Sequence, residues 1–170
     1  MTDTTAGLEI PYSTTDDTIE SIAATMQSLA ERLDFLLGSG AAWGAYSPAW
    51  TANTTNPAKG NGTLTGKYLQ IGRLVHFRIL LLGGSTTTWG AGAYRWSLPV
   101  EAADSSEIID ATVHLYDSSA SLHKVAVATY VDANTIQAWI DTGVGPNTPW
   151  TWANGDRIQL AGSYEAAAVA

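Results

Sequence analysis

Six apolar residues, Ile19, Ile22, Met26, Leu29, Leu33 and Leu36, recur at alternating steps of three and four, and no other feature constrains the chain as much. The steps place Ile19, Met26 and Leu33 at a positions and Ile22, Leu29 and Leu36 at d positions of a heptad, the seam that supercoiled helices bury against one another. Ala23, Ala30 and Leu37 fall at e and widen that seam. An Ile at d with small apolar residues at e favours three or more strands over two, because dimers select β-branched residues at a and Leu at d. The reading is a parallel trimer. The same spacing also fits an amphipathic helix packed on its own β domain.

The ends of the helix are marked over 17–37. Asp17 with Glu20 three residues later forms a capping pair, Asp16 and Asp17 suit the positive end of the dipole, and Gly38 offers a left-handed stop. At 1.5 Å per residue the helix is roughly 30 Å long. Fewer than three heptads is marginal alone, because nucleation is costly. The rest of the chain is therefore expected to share in holding an assembly.

Three regions follow from the texture of the 170 residues. Residues 1–16 are Thr-rich and aperiodic, with Gly7-Leu8, Ile10 and Pro11-Tyr12, and read as an extended peptide that docks elsewhere. Residues 17–40 are the helix and a Gly38-Ser39-Gly40 hinge. Residues 41–170 are aromatic and β-branched runs broken by Gly, Pro, Asn and Asp, the spacing of an antiparallel β-sandwich. The fold expected is mainly β.

Within that region, strands are expected at 64–70, 73–82, 94–98, 111–116, 124–131, 135–140 and 157–164. Ile71-Gly72 reads as a tight turn in which Gly72 supplies the positive φ. Val75, Phe77, Ile79 and Leu81 then share the core face, and Leu74, His76, Arg78 and Leu80 form a mixed face suited to a neighbouring subunit.

Charge is uneven. Residues 1–40 hold seven acids against Arg32 alone, a balance of −6, which leaves −2 of the total −8 for the remainder. Neither part has the basic stripe with interleaved aromatics that a phosphate backbone requires, so nucleic acid is not an expected partner. The chain has no cysteine, which removes disulfides, thiolate metal sites and a cysteine nucleophile. It shows no basic leader before an apolar run and no stretch of about 18 apolar residues, so a soluble protein made in the cytosol is expected, without membrane insertion.

Several word-like segments occur in order: Tyr46-Ser47-Pro48-Ala49-Trp50-Thr51, Gly60-Asn61-Gly62-Thr63-Leu64-Thr65-Gly66-Lys67-Tyr68, Gly72-Arg73-Leu74-Val75-His76-Phe77-Arg78-Ile79 and Ser97-Leu98-Pro99-Val100. Together they resemble the small fibre and minor tail proteins of bacteriophages, especially those infecting actinobacteria. The Gly-Leu and Pro-Tyr ahead of a short heptad helix is similar to the attachment segment and stalk of such fibres. The resemblance implies a homotrimeric virion appendage with a jelly-roll-like head. Leu8, Ile10, Pro11 and Tyr12 would anchor it to a tail or capsid protein.

Enzyme signatures are sparse, and no cofactor or metal is expected. His76, His114 and His123 are the only histidines, and His76 and His114 fall in β-patterned runs without metal-ligand spacing. Ser118, Ser119 and Ser121 lie near Asp117 and His123 without a nucleophile-elbow pattern, so a Ser-rich turn is the preferred reading. Glu101, Asp104, Glu107 and Asp110 read as solvated acids rather than a glycosidase pair. The remaining clue is aromatic: seven Trp and seven Tyr against two Phe. Such rings pack in cores and subunit seams, and also stack on sugars. Trp96 and Trp139 are expected between sheets or subunits, and Trp43 and Trp50 at the neck. Trp89, Asn147, Trp150 and Trp152, in loop-like segments, are the expected contacts for a host-surface glycan. The function expected is host attachment by a structural, non-enzymatic virion protein, with a purely architectural capsid decoration as the alternative.

Overall fold

The computed structural model describes residues 3–4, 11–12, 18–34, 42–106 and 109–168. The chain divides into two units, Met1–Ala42 and Trp43–Ala170. In the first, strands β1 (Asp3–Thr4) and β2 (Pro11–Tyr12) pair antiparallel, and β2 runs beside helix α1 (Ile19–Asp34). The expected extended segment thus contains a short strand pair. Leu8, Ile10, Asp17, Leu36 and the Gly38 stop lie outside the described residues. Within them the helix cap is Thr18, whose Oγ1 accepts from the Ser21 amide at 3.3 Å while Ser21 Oγ donates to Thr18 O at 2.8 Å.

The heptad stripe is split. The a residues are open, with Ile19 87%, Met26 67% and Leu33 46% exposed, whereas Ile22 and Leu29 at d are half-buried and Thr25 is buried. Thr25 Oγ1 donates back to Ser21 O at 2.7 Å, which lets a polar side chain be covered without losing a hydrogen bond.

The second unit is one antiparallel sheet of ten strands: β3 (Gly44–Tyr46), β4 (Trp50–Ala52), β5 (Thr63–Ile71), β6 (Leu74–Leu82), β7 (Tyr94–Ser97), β8 (Asp110–Asp117), β9 (Leu122–Asp132), β10 (Thr135–Ile140), β11 (Thr142–Gly143) and β12 (Arg157–Glu165). Their order is β3-β5-β6-β12-β8-β9-β10-β7-β4, with β11 beside β10. The two ends of this path, β3 and β4, are separated in the chain by only Ser47, Pro48 and Ala49. Three residues span roughly 10 Å, so the sheet must curl until its ends approach. Ala49 is held to β7 by its amide on Ser97 Oγ at 2.8 Å and its carbonyl on the Ser97 amide at 3.0 Å.

The core is the inner face of that curl. Val75, Phe77, Ile79 and Leu81 on β6 are all buried, as their alternation predicts. In register beside them, Leu160 meets Ile79 and Val113, and Ile158 meets Leu81 and Leu115. Each such side chain contributes about 1.5–3 kcal/mol when fully covered. Trp96 and Tyr94 on β7 are fully buried in the same core as the small inner residues Ala126, Ala128 and Ala138. The β5–β6 turn falls one residue later than expected, at Gly72 and Arg73, because Ile71 pairs with Leu74. Gly72 does carry the positive φ, 59°.

Side-chain hydrogen bonds close the turns. At β8–β9, Asp117 Oδ1 accepts from Ser119 N at 2.9 Å, Ser119 Oγ at 2.7 Å and Ala120 N at 3.1 Å. The Ser119 hydroxyl, with backbone amides behind it, holds the Asp117 carboxyl below the usual range. Asp156 is buried ahead of β12 and binds Ser118 N and Oγ at 2.9 and 3.1 Å and Ala153 N at 2.8 Å, tying two loops together.

Candidate functional site

The loop tryptophans converge. Residues 83–92 bring Trp89, and residues 144–156 bring Trp150 and Trp152, to one end of the curled sheet. Trp89 stacks on Trp152 at 5.6 Å and 27°, and Trp150 lies tilted against Trp152 at 5.2 Å. Trp89 also meets Trp50 edge-on at 5.6 Å, and Trp50 meets Tyr94 at 5.3 Å. Trp152 is 3% exposed and its Nε1 donates to Gly145 O at 2.8 Å, so it is a lid over the core and offers no free ring face. Trp89 and Trp150 are half-buried, and Asn147, in the same loop as Trp150, is exposed with Oδ1 accepting from Thr151 Oγ1 at 3.3 Å. Packed against one another, these rings gain edge-to-face and stacking contacts that isolated loop rings lack.

Trp50, expected at the neck, is a core residue. Trp43 is exposed, with the Arg78 guanidinium 4.7 Å over its ring. Trp43 and Arg78 border a polar trough of about 300 Å³ across β6, β12 and β8, whose further walls include His76, Asp110, Thr112 and Ser163. An aromatic edge, a carboxylate, hydroxyls and a guanidinium around small residues is a set able to grip a polyhydroxyl ligand. The sequence hid it because its members come from four separate segments.

The serine, aspartate and histidine near 117–123 do not converge on one reaction centre. Ser119 bonds Asp117, Ser118 bonds Asp156, and His123 turns to the neighbouring strand. There His114 Nε2 and His123 Nδ1 are 2.9 Å apart, the rings stack at 5.0 Å, and His114 Nδ1 is 3.1 Å from Gln159 Oε1. Among the described residues no group of three or more metal-ligating side chains occurs. Glu101, Asp104 and Asp110 are exposed, and Glu107 lies outside the described residues. Asp104 is held below the usual carboxyl range by Ser106.

Three tyrosine hydroxyls are pushed well above their ordinary value. Burial is the main cause at Tyr46, Tyr94 and Tyr164. Tyr94 OH donates to Trp89 O at 2.8 Å and Tyr164 OH to Val100 O at 2.7 Å, so two of these hydroxyls pin loops to the core.

The outer face of the sheet carries apolar surface, of which two parts matter here. One is Val125, Val127 and Trp139 on β9 and β10, and the other is a hollow between β5, β6 and β12 that Leu80 and Ala161 line. No described helix is long and apolar enough to cross a membrane. The chain matches no protein-family model, no curated protein and no solved structure.

Proposed function

We propose that this chain is a homotrimeric bacteriophage appendage, a fibre or minor tail protein that presents a jelly-roll-like β head to the host surface. The observation that carries the reading is the open a side of the heptad stripe: Ile19, Met26 and Leu33 expose apolar side chains on one helix face, on a chain whose β unit has its own core. A large bare apolar stripe on a helix calls for a partner, and the heptad spacing specifies other copies of the same helix. Residues 1–16 serve as the virion anchor through Leu8, Ile10, Pro11 and Tyr12. Three tethered heads convert weak glycan contacts into avidity.

For glycan recognition the half-buried Trp89 and Trp150 with Asn147 form one contact set, and the trough at Trp43, His76 and Asp110 forms another. The test is a glycan array probed with the intact chain. Binding lost in Trp89→Ala assigns the tryptophan end, and binding lost in Asp110→Ala assigns the trough. No binding by a verified trimer rejects host-glycan attachment. The second reading, a capsid decoration with an architectural role, is favoured by the burial of Trp152 and its neighbours into a lid. Labelled antibody on virions separates a tail position from a capsid one.

A further inference from the structure

Strand β9 is apolar on both faces where a one-sided sheet would alternate. Ala126 and Ala128 point into the core, while Val125 and Val127 on the outer face are 67% and 58% exposed. Trp139 is the cross-strand partner of Val127 and is itself 40% exposed, so the three form a continuous ridge. A strand apolar on both faces is the pattern of one covered on both sides, and the head's own core supplies one of the two covers.

The same outer face holds a receptor for such a ridge. The hollow of about 330 Å³ lies across β5, β6 and β12, walled by Thr65 and Lys67 on β5, Leu80 and Arg78 on β6 and Ala161 on β12. That is far more than the ~30 Å³ share of one water and is room enough for an indole. Strand β8 separates hollow from ridge in the sheet order, so the two cannot meet within one head. Charge agrees: Lys67 and Arg78 rim the hollow, and Asp141 follows Trp139 by two residues at the β10–β11 turn. Among the described residues, neither Lys67 nor Asp141 forms an ion pair within the chain.

We propose that the Val125, Val127 and Trp139 ridge of one head seats in the Leu80 and Ala161 hollow of a second copy of this chain. Ridge and hollow are different surfaces, so the contact is head-to-tail, the type that closes into a ring. The proposal rests on the trimeric reading above and gives the heads their own interface beside the stalk. Eight residues of sequence separate Asp34 from Trp43, so copies joined through their helices would hold their β units at high effective concentration.

The cysteine-free full chain makes the test direct. A Val127→Cys, Leu80→Cys double variant is treated with a short bismaleimide, beside each single variant, while light scattering records the mass of the untreated samples. The expected result is covalent dimers and trimers from the double variant alone. Cross-linking in Val127→Cys alone means a symmetric contact and overturns the proposal. A trimeric mass with no cross-link overturns it too, while leaving the stalk reading intact; a monomeric mass removes both. As a second measurement, Val127→Asp on the full chain is expected to lower the melting temperature with unchanged circular dichroism. Unchanged melting overturns the proposal.

Discussion

The ring of Tyr46 lies across Gly66, its cross-strand partner, with Cδ1 2.7 Å from where a β-carbon on Gly66 would stand. The ring is packed edge-on against Tyr68 at 5.9 Å, so it cannot swing away freely. An aromatic laid over a glycine covers the backbone gap that the missing side chain leaves. Gly66→Ala is therefore expected to destabilise the head by about 1–3 kcal/mol through overpacking, read as a lower denaturant midpoint at unchanged slope.

Asp156 satisfies three donors from two loops while buried. Asp156→Ala leaves the Ser118 and Ala153 amides without their acceptor and is expected to cost about 2–4 kcal/mol in urea unfolding, a little above the usual ~1–3 kcal/mol for one unsatisfied buried group. Asp156→Asn keeps one acceptor oxygen, and a smaller loss is expected from it.

Alkaline pH tests the buried tyrosines. Tyr46, Tyr94 and Tyr164 have folded values raised above the unfolded value of about 10, so their neutral form is favoured in the fold. Their contribution to stability is fully present below pH about 10 and is lost as pH rises above it toward the folded values. A titration followed at 295 nm is expected to show part of the seven tyrosines ionising late, in step with loss of near-ultraviolet dichroism. All seven ionising together near pH 10 with the fold intact would contradict the burial.

Acid tests Asp117, whose folded value is depressed by the Ser119 hydroxyl. Its contribution is present above the unfolded value of about 4 and is lost as pH falls through the folded one. The melting difference between the native chain and Asp117→Asn is expected to shrink as pH drops below about 4.

Met26 stands at the middle of the open a side. Met26→Asp is expected to lower the native mass of the full chain, or to make it concentration-dependent, with little change in the dichroism of the head. In an assembled chain, melting of the native protein should rise with concentration. Identical masses for both chains would return the stripe to intramolecular packing.

Much of this fold was legible because its signals are local. The alternation at Val75, Phe77, Ile79 and Leu81 states which way β6 faces, and Gly72 and Asp117 mark turns by their own backbone and side-chain chemistry. What was not legible depends on pairing between distant segments. Nothing local says that β3 and β4, three residues apart, stand at opposite ends of one sheet, or that His114 and His123 stack across β8 and β9. The burial of Trp152 was hidden for a related reason: it sits among Pro, Asn and Thr, and it stacks on Trp89, some sixty positions earlier in the chain. At the helix start, Thr18 and Ser21 bond each other, while Asp17 of the expected Asp17–Glu20 pair lies outside the described residues.

The three-residue link between β3 and β4 also sets how the head takes mechanical load. Strand β3 lies at one end of the sheet, and Ala49 in the link to β4 is clamped to Ser97 at the other. A pull along β3 shears its ladder with β5 and, through the link, the β4 ladder with β7, stressing several hydrogen bonds at once. Peeling, which breaks them singly, would require a pull across the strands.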